Sequence, residues 1–198
     1  FVFAINSVDS GMVLYFPNGK VKNESEFLNG ELHGESKKFY ENGGLIESFQ
    51  YKEGKENGLG KTFYPNGNVH TEANYKDGFL LGNFTTYYEN GNTKSITKTE
   101  NGDKGTGSFQ AFTEDGKLEM DGKLLKGVIH GEAKSYFPDG ELARIINYSY
   151  GKKVGVSKEF YLSGKIKETV EVSNKERNQK TISYFENDIL AYKMILDV

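Results

Sequence analysis

Phe63-Tyr64-Pro65-Asn66-Gly67 is a pair of aromatic residues followed by a turn, and close variants of it stand at 15–19, 39–43, 87–91, 112–116, 136–140, 160–164 and 184–188. The turn glycines are Gly19, Gly43, Gly67, Gly91, Gly116, Gly140 and Gly164, a period of 24 residues with one step of 25 between Gly91 and Gly116. A fixed period of this length is the mark of a repeat architecture. It argues for one array over residues 1–198 with no internal boundary. Within that array, residues 1–14 read as a degenerate opening repeat, 15–182 as seven repeats and 183–198 as C-terminal capping strands.

Pro65-Asn66-Gly67 suits a type I turn closed by a residue in the left-handed conformation, the three-residue hairpin loop. Proline presets its own φ, and Gly67 takes a positive φ without steric cost. The loop pairs Tyr64 with Asn68 and Phe63 with Val69. Simple alternation from Phe63 then puts Val69, Ala73 and Tyr75 on one apolar, packed face. His70, Glu72 and Asn74 fall on the other. A second turn closes each unit, at Gly30/Gly34, Gly54/Gly58, Gly78/Gly82, Gly127/Gly131 and Gly151/Gly155. Two reversals per period make one hairpin per repeat. The expected fold is therefore all-β, an elongated single-layer antiparallel sheet of about eight tandem hairpins, roughly 80 Å long at two strand spacings per repeat.

Composition agrees with a thin sheet. Hydrophobic residues are 36% and Gly is 24 of 198, below and above the globular norm respectively. Aromatic residues make up 14% and recur at fixed positions, which argues for packing and against disorder. Net charge is −3 with both signs interspersed, so the basic patch of a nucleic-acid binder is missing. With no Cys, disulfides and thiol chemistry are excluded. The first residue is Phe, and Phe1 and Phe3 fall on the same positions of the 24-residue grid as Phe49 and Tyr51, so residues 1–6 read as the first strand of the opening repeat. The absence of Cys and of an initiator Met leans toward an exported or cell-surface location.

The period is disturbed in two places. Around 101–122, Gly102-Asp103-Lys104-Gly105-Thr106-Gly107 replaces the regular glycine pair, Ala111 reads as the extra residue, and Gly122 lies mid-strand, so a bulge or bend is expected. Residues 173–179 form a polar loop that reads as an end cap before the apolar segment Ile189–Leu196, whose edge could pair with another copy.

No catalytic constellation emerges. Gly58-Leu59-Gly60-Lys61-Thr62 resembles the end of a phosphate-binding loop, but Lys55 stands where the first Gly is required and the segment leads into a strand. His33 and His130 occupy the same slot four repeats apart, roughly 40 Å at two strand spacings per hairpin, too far to share a metal. Repeated carboxylates such as Glu24, Glu47 and Glu72 read as a solvated face. No metal or cofactor is expected. The best binding candidates are the second aromatics of the turn motif, Tyr40, Tyr64, Tyr88, Phe137 and Tyr161, with Phe16 and Phe185 in the same row. Simple alternation places them opposite the packed face, where Tyr supplies both area and a hydroxyl. They also read as stiffening the sheet by stacking.

The pattern aromatic-aromatic-x-Asn-Gly, an alternating strand, then Asn-Gly-x-x-x-Gly resembles the bacterial variant of the MORN repeat over residues 15–190. The fourth repeat departs by lacking the glycine pair, and the last by carrying Asp188 in place of Gly. The resemblance implies β-hairpins in an elongated sheet, a binding or scaffolding role, and relatives that include antitoxin components. The function expected is a non-enzymatic scaffold that binds another protein through an extended aromatic-lined face, with no nucleic-acid partner. The alternatives are a membrane-surface module reading phosphoinositides and a glycan or cell-wall binding array. Scattered lysines weigh against the first and the lack of Trp against the second.

Overall fold

A computed structural model describes residues 9–99, 105–172 and 179–196. The strands are β1 (Asp9–Tyr15), β2 (Val21–Leu28), β3 (Glu31–Phe39), β4 (Leu45–Lys52), β5 (Lys55–Phe63), β6 (Val69–Lys76), β7 (Phe79–Tyr87), β8 (Thr93–Thr99) and β9 (Gly107–Phe112). They continue as β10 (Leu118–Leu125), β11 (Val128–Tyr136), β12 (Leu142–Ser149), β13 (Lys152–Lys153), β14 (Gly155–Phe160), β15 (Ile166–Val172), β16 (Gln179–Tyr184) and β17 (Leu190–Leu196). Among the described residues there is no helix. The fold is all-β, and two compact units divide it, residues 1–96 and 97–198. In the first, β1 to β7 pair antiparallel in chain order. In the second, β9 to β12 and β14 to β17 do the same, with β12 also holding the short β13.

Local chemistry sets both turns. At the first, Tyr64 N–H donates to the Asn68 carbonyl at 2.8 Å and Gly67 N–H to the Tyr64 carbonyl at 2.9 Å. Gly67 has φ of 89°, and Phe63 pairs with Val69. Turn chemistry and register here are those expected from Pro-Asn-Gly. The second turn is a two-residue loop with both residues at positive φ, as in Asp77 (52°) and Gly78 (81°), the type I′ geometry that matches strand twist. Successive turns of this kind are tied together: Gly54 N–H donates to the Leu32 carbonyl and Gly78 N–H to that of Glu56, each at 2.9 Å. In the second unit Gly127 bonds Gly105 and Gly151 bonds Ile129 in the same way.

One feature overturns simple alternation. Phe63 pairs with Val69 but Thr62 pairs with Thr71, so His70 is an extra residue, a β-bulge. The same shift follows the turn at Lys22, Ile46, Glu119, Ala143, Lys167 and Ala191. A one-residue shift moves every following side chain to the other face. Ala73 and Tyr75 therefore lie with Thr62 and Gly60, not with Phe63, which instead shares its face with Lys61 and Glu72.

The core is a row of small residues covered by large ones, running across the strands. In the first unit the paired sequence is Ser25, Ser36, Phe49, Gly60, Ala73 and Phe84. In the second, Phe109, Gly122, Ala133 and Ile146 follow the same order. Ala73 is 3% exposed and Ala133 2%, and among the described residues these are the buried hydrophobics. In a single antiparallel layer a small residue leaves solvent where larger neighbours fold over it, and rings do so at two places in this row. Phe49 does this for Gly60: a Cβ there would sit 2.5 Å from the Phe49 ring and 3.0 Å from that of Tyr75. Phe109 covers Gly122 likewise, at 2.8 Å.

Other expectations are revised by the same registers. Gly122 is a core slot; the bulge expected in this region lies at Glu119, and a further register shift between Gly122 and Leu124 matches that between Phe49 and Tyr51. Ala111 pairs with Met120 across its turn as Thr62 pairs with Thr71, so it is in step, and the extra residue lies upstream of Phe109. The opening-strand residues 1–6, residues 101–104 and the loop at 173–178 lie outside the described residues. Gly58 to Thr62 lies inside β5, with Lys61 ion-paired to Glu72 at 2.8 Å and Thr62 bonded to Thr71 at 2.7 Å, so it has no phosphate-loop geometry.

Candidate functional site

Each second aromatic follows the end of a strand and closes the first turn through its own backbone. Tyr40 N–H donates to Gly44, Tyr88 to Asn92, Phe137 to Glu141 and Tyr161 to Lys165, all at 2.7–2.8 Å. The ring continues strand alternation from Thr62, so Tyr64 lies on the same face as Gly60 and Ala73. Two contacts fix this. Tyr64 packs on His70, ring centroids 4.5 Å apart, and His70 Nδ1 lies 3.5 Å from Thr62 Oγ1. The expectation that these rings sit opposite the packed face is thus corrected, because the bulge turns the following strand over.

The bulge residue underlies the aromatic at Tyr64, on His70, and at Phe16, on Lys22, and Lys94 stands at the same spacing from Tyr88. Lys22 Nζ stands 5.8 Å from the Phe16 ring and Lys94 Nζ 5.5 Å from that of Tyr88, within cation–π range. The hydroxyls reach forward by one repeat: Tyr64 donates to the Tyr87 carbonyl at 2.7 Å and Tyr161 to that of Tyr184 at 2.8 Å. Tyr40, Tyr64, Tyr88, Phe137 and Tyr161 are all half-buried, while Phe185 is 56% exposed. In the first unit Tyr40, Tyr64 and Tyr88 make one row of this kind. In the second, Phe137 and Tyr161 make another. Tyr64 and Tyr161 thus tie neighbouring repeats together while remaining partly exposed.

Around this row the face is amphipathic. Tyr51 and Tyr75 lie beyond the core row, opposite Gly34 and Gly58, and burial, then the nearby Glu56 charge, pushes both hydroxyls up. In the second unit Glu159 takes a hydrogen bond from Lys167 at 2.7 Å and another from Arg144 at 3.1 Å. The Lys167 bond, the largest effect, holds its carboxyl below the usual range; burial opposes it, and the Arg144 charge adds to the lowering. A shallow concavity of about 360 Å³ lies beside this cluster, lined by Arg144, Ile146, Ser157, Glu168, Val170 and Gln179.

Among the described residues no three His, Asp or Glu side chains are grouped to hold a metal. His130 accepts from Tyr150 N–H at 3.3 Å and packs on the Tyr150 ring at 5.0 Å, a turn-stabilising role. No helix of the described chain is long and apolar enough to cross a membrane. The bulge residues were missed by sequence reading. Their one signal was the recurrence of Gly60/Ala73 and Gly122/Ala133, small pairs that make sense only as facing neighbours.

Fold and site together define a repeat protein built of β-hairpins, each with an aromatic turn and a bulge. The profile of the MORN repeat variant matches residues 12–29, 32–53, 56–77, 80–101, 129–150 and 153–174, more than half of the sequence, and the chain belongs to that family. The matches pass over 102–128, where the period slips. MORN repeats are in general protein- or membrane-binding modules and a non-catalytic repeat type. No curated protein matches this sequence. Among solved structures, the Photorhabdus luminescens Tc holotoxin pore aligns over 96% of this chain at 12% identity with a TM-score of 0.24. The TcdB2-TccC3-Cdc42 complex aligns over 96% at 12% identity with a TM-score of 0.23. This chain spans 13% and 14% of the length of those chains.

Proposed function

We propose that the chain is a non-enzymatic scaffold that binds another protein through the aromatic-lined face, with Tyr40, Tyr64, Tyr88, Phe137 and Tyr161 as its contacts. The observation that carries this reading is that the second aromatics share a face with the covered core row. Rings held from beneath by a bulge residue, and in two repeats tethered through the hydroxyl, lose little freedom on binding. Pre-ordered aromatic area is what protein interfaces draw on. The lysines along the row favour protein over lipid. Lys20 bonds the Asn42 carbonyl at 2.8 Å, and Lys165 and Lys167 are paired with Asp188 and Glu159. An anionic membrane would need such charges uncommitted and clustered.

The test is capture from lysate and membrane fractions with the native chain and a Tyr40→Ala/Tyr64→Ala/Tyr88→Ala variant shown by circular dichroism to remain folded. A protein partner retained by the native chain and lost from the variant is expected. Equal capture by both would move the contact off this face. Retention of lipid vesicles or glycan in place of protein would overturn the reading.

A further inference from the structure

The sequence holds seven Asn-Gly pairs, at Asn18, Asn29, Asn42, Asn57, Asn66, Asn90 and Asn101. An asparagine followed by glycine is chemically labile, because no side chain shields the following amide nitrogen. That nitrogen, on losing its proton, attacks the asparagine Cγ. A C–N bond forms, the carboxamide nitrogen leaves as ammonia, and water opens the resulting succinimide to aspartate or isoaspartate. The step requires the carboxamide and the glycine amide to swing toward each other.

Four of the pairs are locked against this swing. Oδ1 of Asn18, Asn42, Asn66 and Asn90 accepts from the N–H two residues on, at 2.8–3.0 Å. The attacking amides of Gly19, Gly43, Gly67 and Gly91 donate to the second-aromatic carbonyls at 2.8–2.9 Å. Asn57 lies within β5, with Gly58 registered against Tyr75 and its Nδ2 donating to Asp77 at 3.3 Å. Asn101 lies outside the described residues.

Asn29-Gly30 differs on every count. It forms the exposed type I′ tip between β2 and β3, at φ of 53° and 82°. The four other described turns of this kind carry Glu53, Asp77, Lys126 and Tyr150 in the Asn29 place, and each following glycine amide bonds the preceding turn. Among the described residues neither the Asn29 carboxamide nor the Gly30 amide has a partner, and the space about Gly30 is open. We infer that Asn29-Gly30 is a site of spontaneous deamidation, set apart from the locked Asn-Gly pairs by the hydrogen bonds it lacks. Conversion adds a negative charge at the tip. The isoaspartyl product also adds a backbone atom to a two-residue loop, which cannot keep the Leu28–Glu31 register.

The experiment is peptide mapping by mass spectrometry of the whole chain, aged in mildly alkaline buffer, alongside a sample aged in urea. Labelling by an isoaspartyl methyltransferase identifies the product. In the folded chain the Asn29 peptide is expected to convert several-fold faster than those of Asn18, Asn42, Asn66 and Asn90. The five rates should converge in urea, and the fast labelled peptide should vanish in Asn29→Gln. Conversion of Asn29 no faster than the four locked pairs would overturn the inference. So would a lead for Asn29 that persists undiminished in urea, since sequence alone would then set the order.

Discussion

Gly60 and Gly67 are both glycines of the same repeat, and the chain needs them for opposite reasons. Gly67 has open space about its Cα and a φ of 89°, so an added methyl meets nothing and is strained by the backbone alone. Gly67→Ala should cost about 1 kcal/mol. Gly60 lies in an extended strand beneath the Phe49 ring, where a Cβ would stand 2.5 Å from two ring carbons. Gly60→Ala should cost about 1–3 kcal/mol through overpacking. That cost should shrink markedly in a Phe49→Ala background, because the two residues share one contact. Urea denaturation of the single and double variants measures the coupling, and strict additivity would remove Phe49 as the cause. The turn glycine was legible from Pro-Asn-Gly. The buried one was not, because nothing within the segment Gly58 to Thr62 says which ring will lie over it.

At the level of the hairpin, the bulge decides which side chains meet. His70 contributes a ring contact to Tyr64 and an extra backbone unit to β6. His70→Ala removes the first only and should cost about 1 kcal/mol. Deleting His70 removes the second as well, restores strict alternation and carries Ala73 and Tyr75 to the face of Phe63. Gly60 would then lose its facing neighbour and Tyr64 its support. The deletion should cost several times as much as the alanine variant in the same denaturation experiment, and a cost equal to that of His70→Ala would show that the bulge does not set the face. The two turns of each hairpin could be read in advance, since loop length and glycine placement are local. The bulge could not: one additional residue leaves the 24-residue period intact, and the strand beyond it still alternates.

For the whole chain, stability resides in rows that run across strands, each row link joining nearest neighbours. Arrays of that kind lose stability locally. Gly122→Ala, which brings a Cβ 2.8 Å from Phe109 and 3.2 Å from Ala133, should speed hydrogen exchange in β9 to β11 and leave β2 to β5 unchanged. Faster exchange spread evenly through both units would contradict a nearest-neighbour account. β17 belongs to the same logic: Leu190 and Ile195 are 53% and 58% exposed although β17 pairs with β16 along its length. Among the described residues β16 is the strand registered against β17, where an inner strand is registered against two.

The primary sequence was sufficient for the repeat, the all-β class, the hairpin turns and their first registered pair, because each follows from φ preferences and spacing within a few residues. It also sufficed to single out Tyr40, Tyr64, Tyr88, Phe137 and Tyr161 as a periodic set. The side of the sheet on which those rings stand was settled by cross-strand pairing instead. Thr62 against Thr71, and Gly60 against Ala73, are contacts between segments that local alternation cannot align once a bulge intervenes. Burial followed the same rule, since a methyl group in a one-layer sheet leaves solvent only when larger side chains from neighbouring strands fold across it.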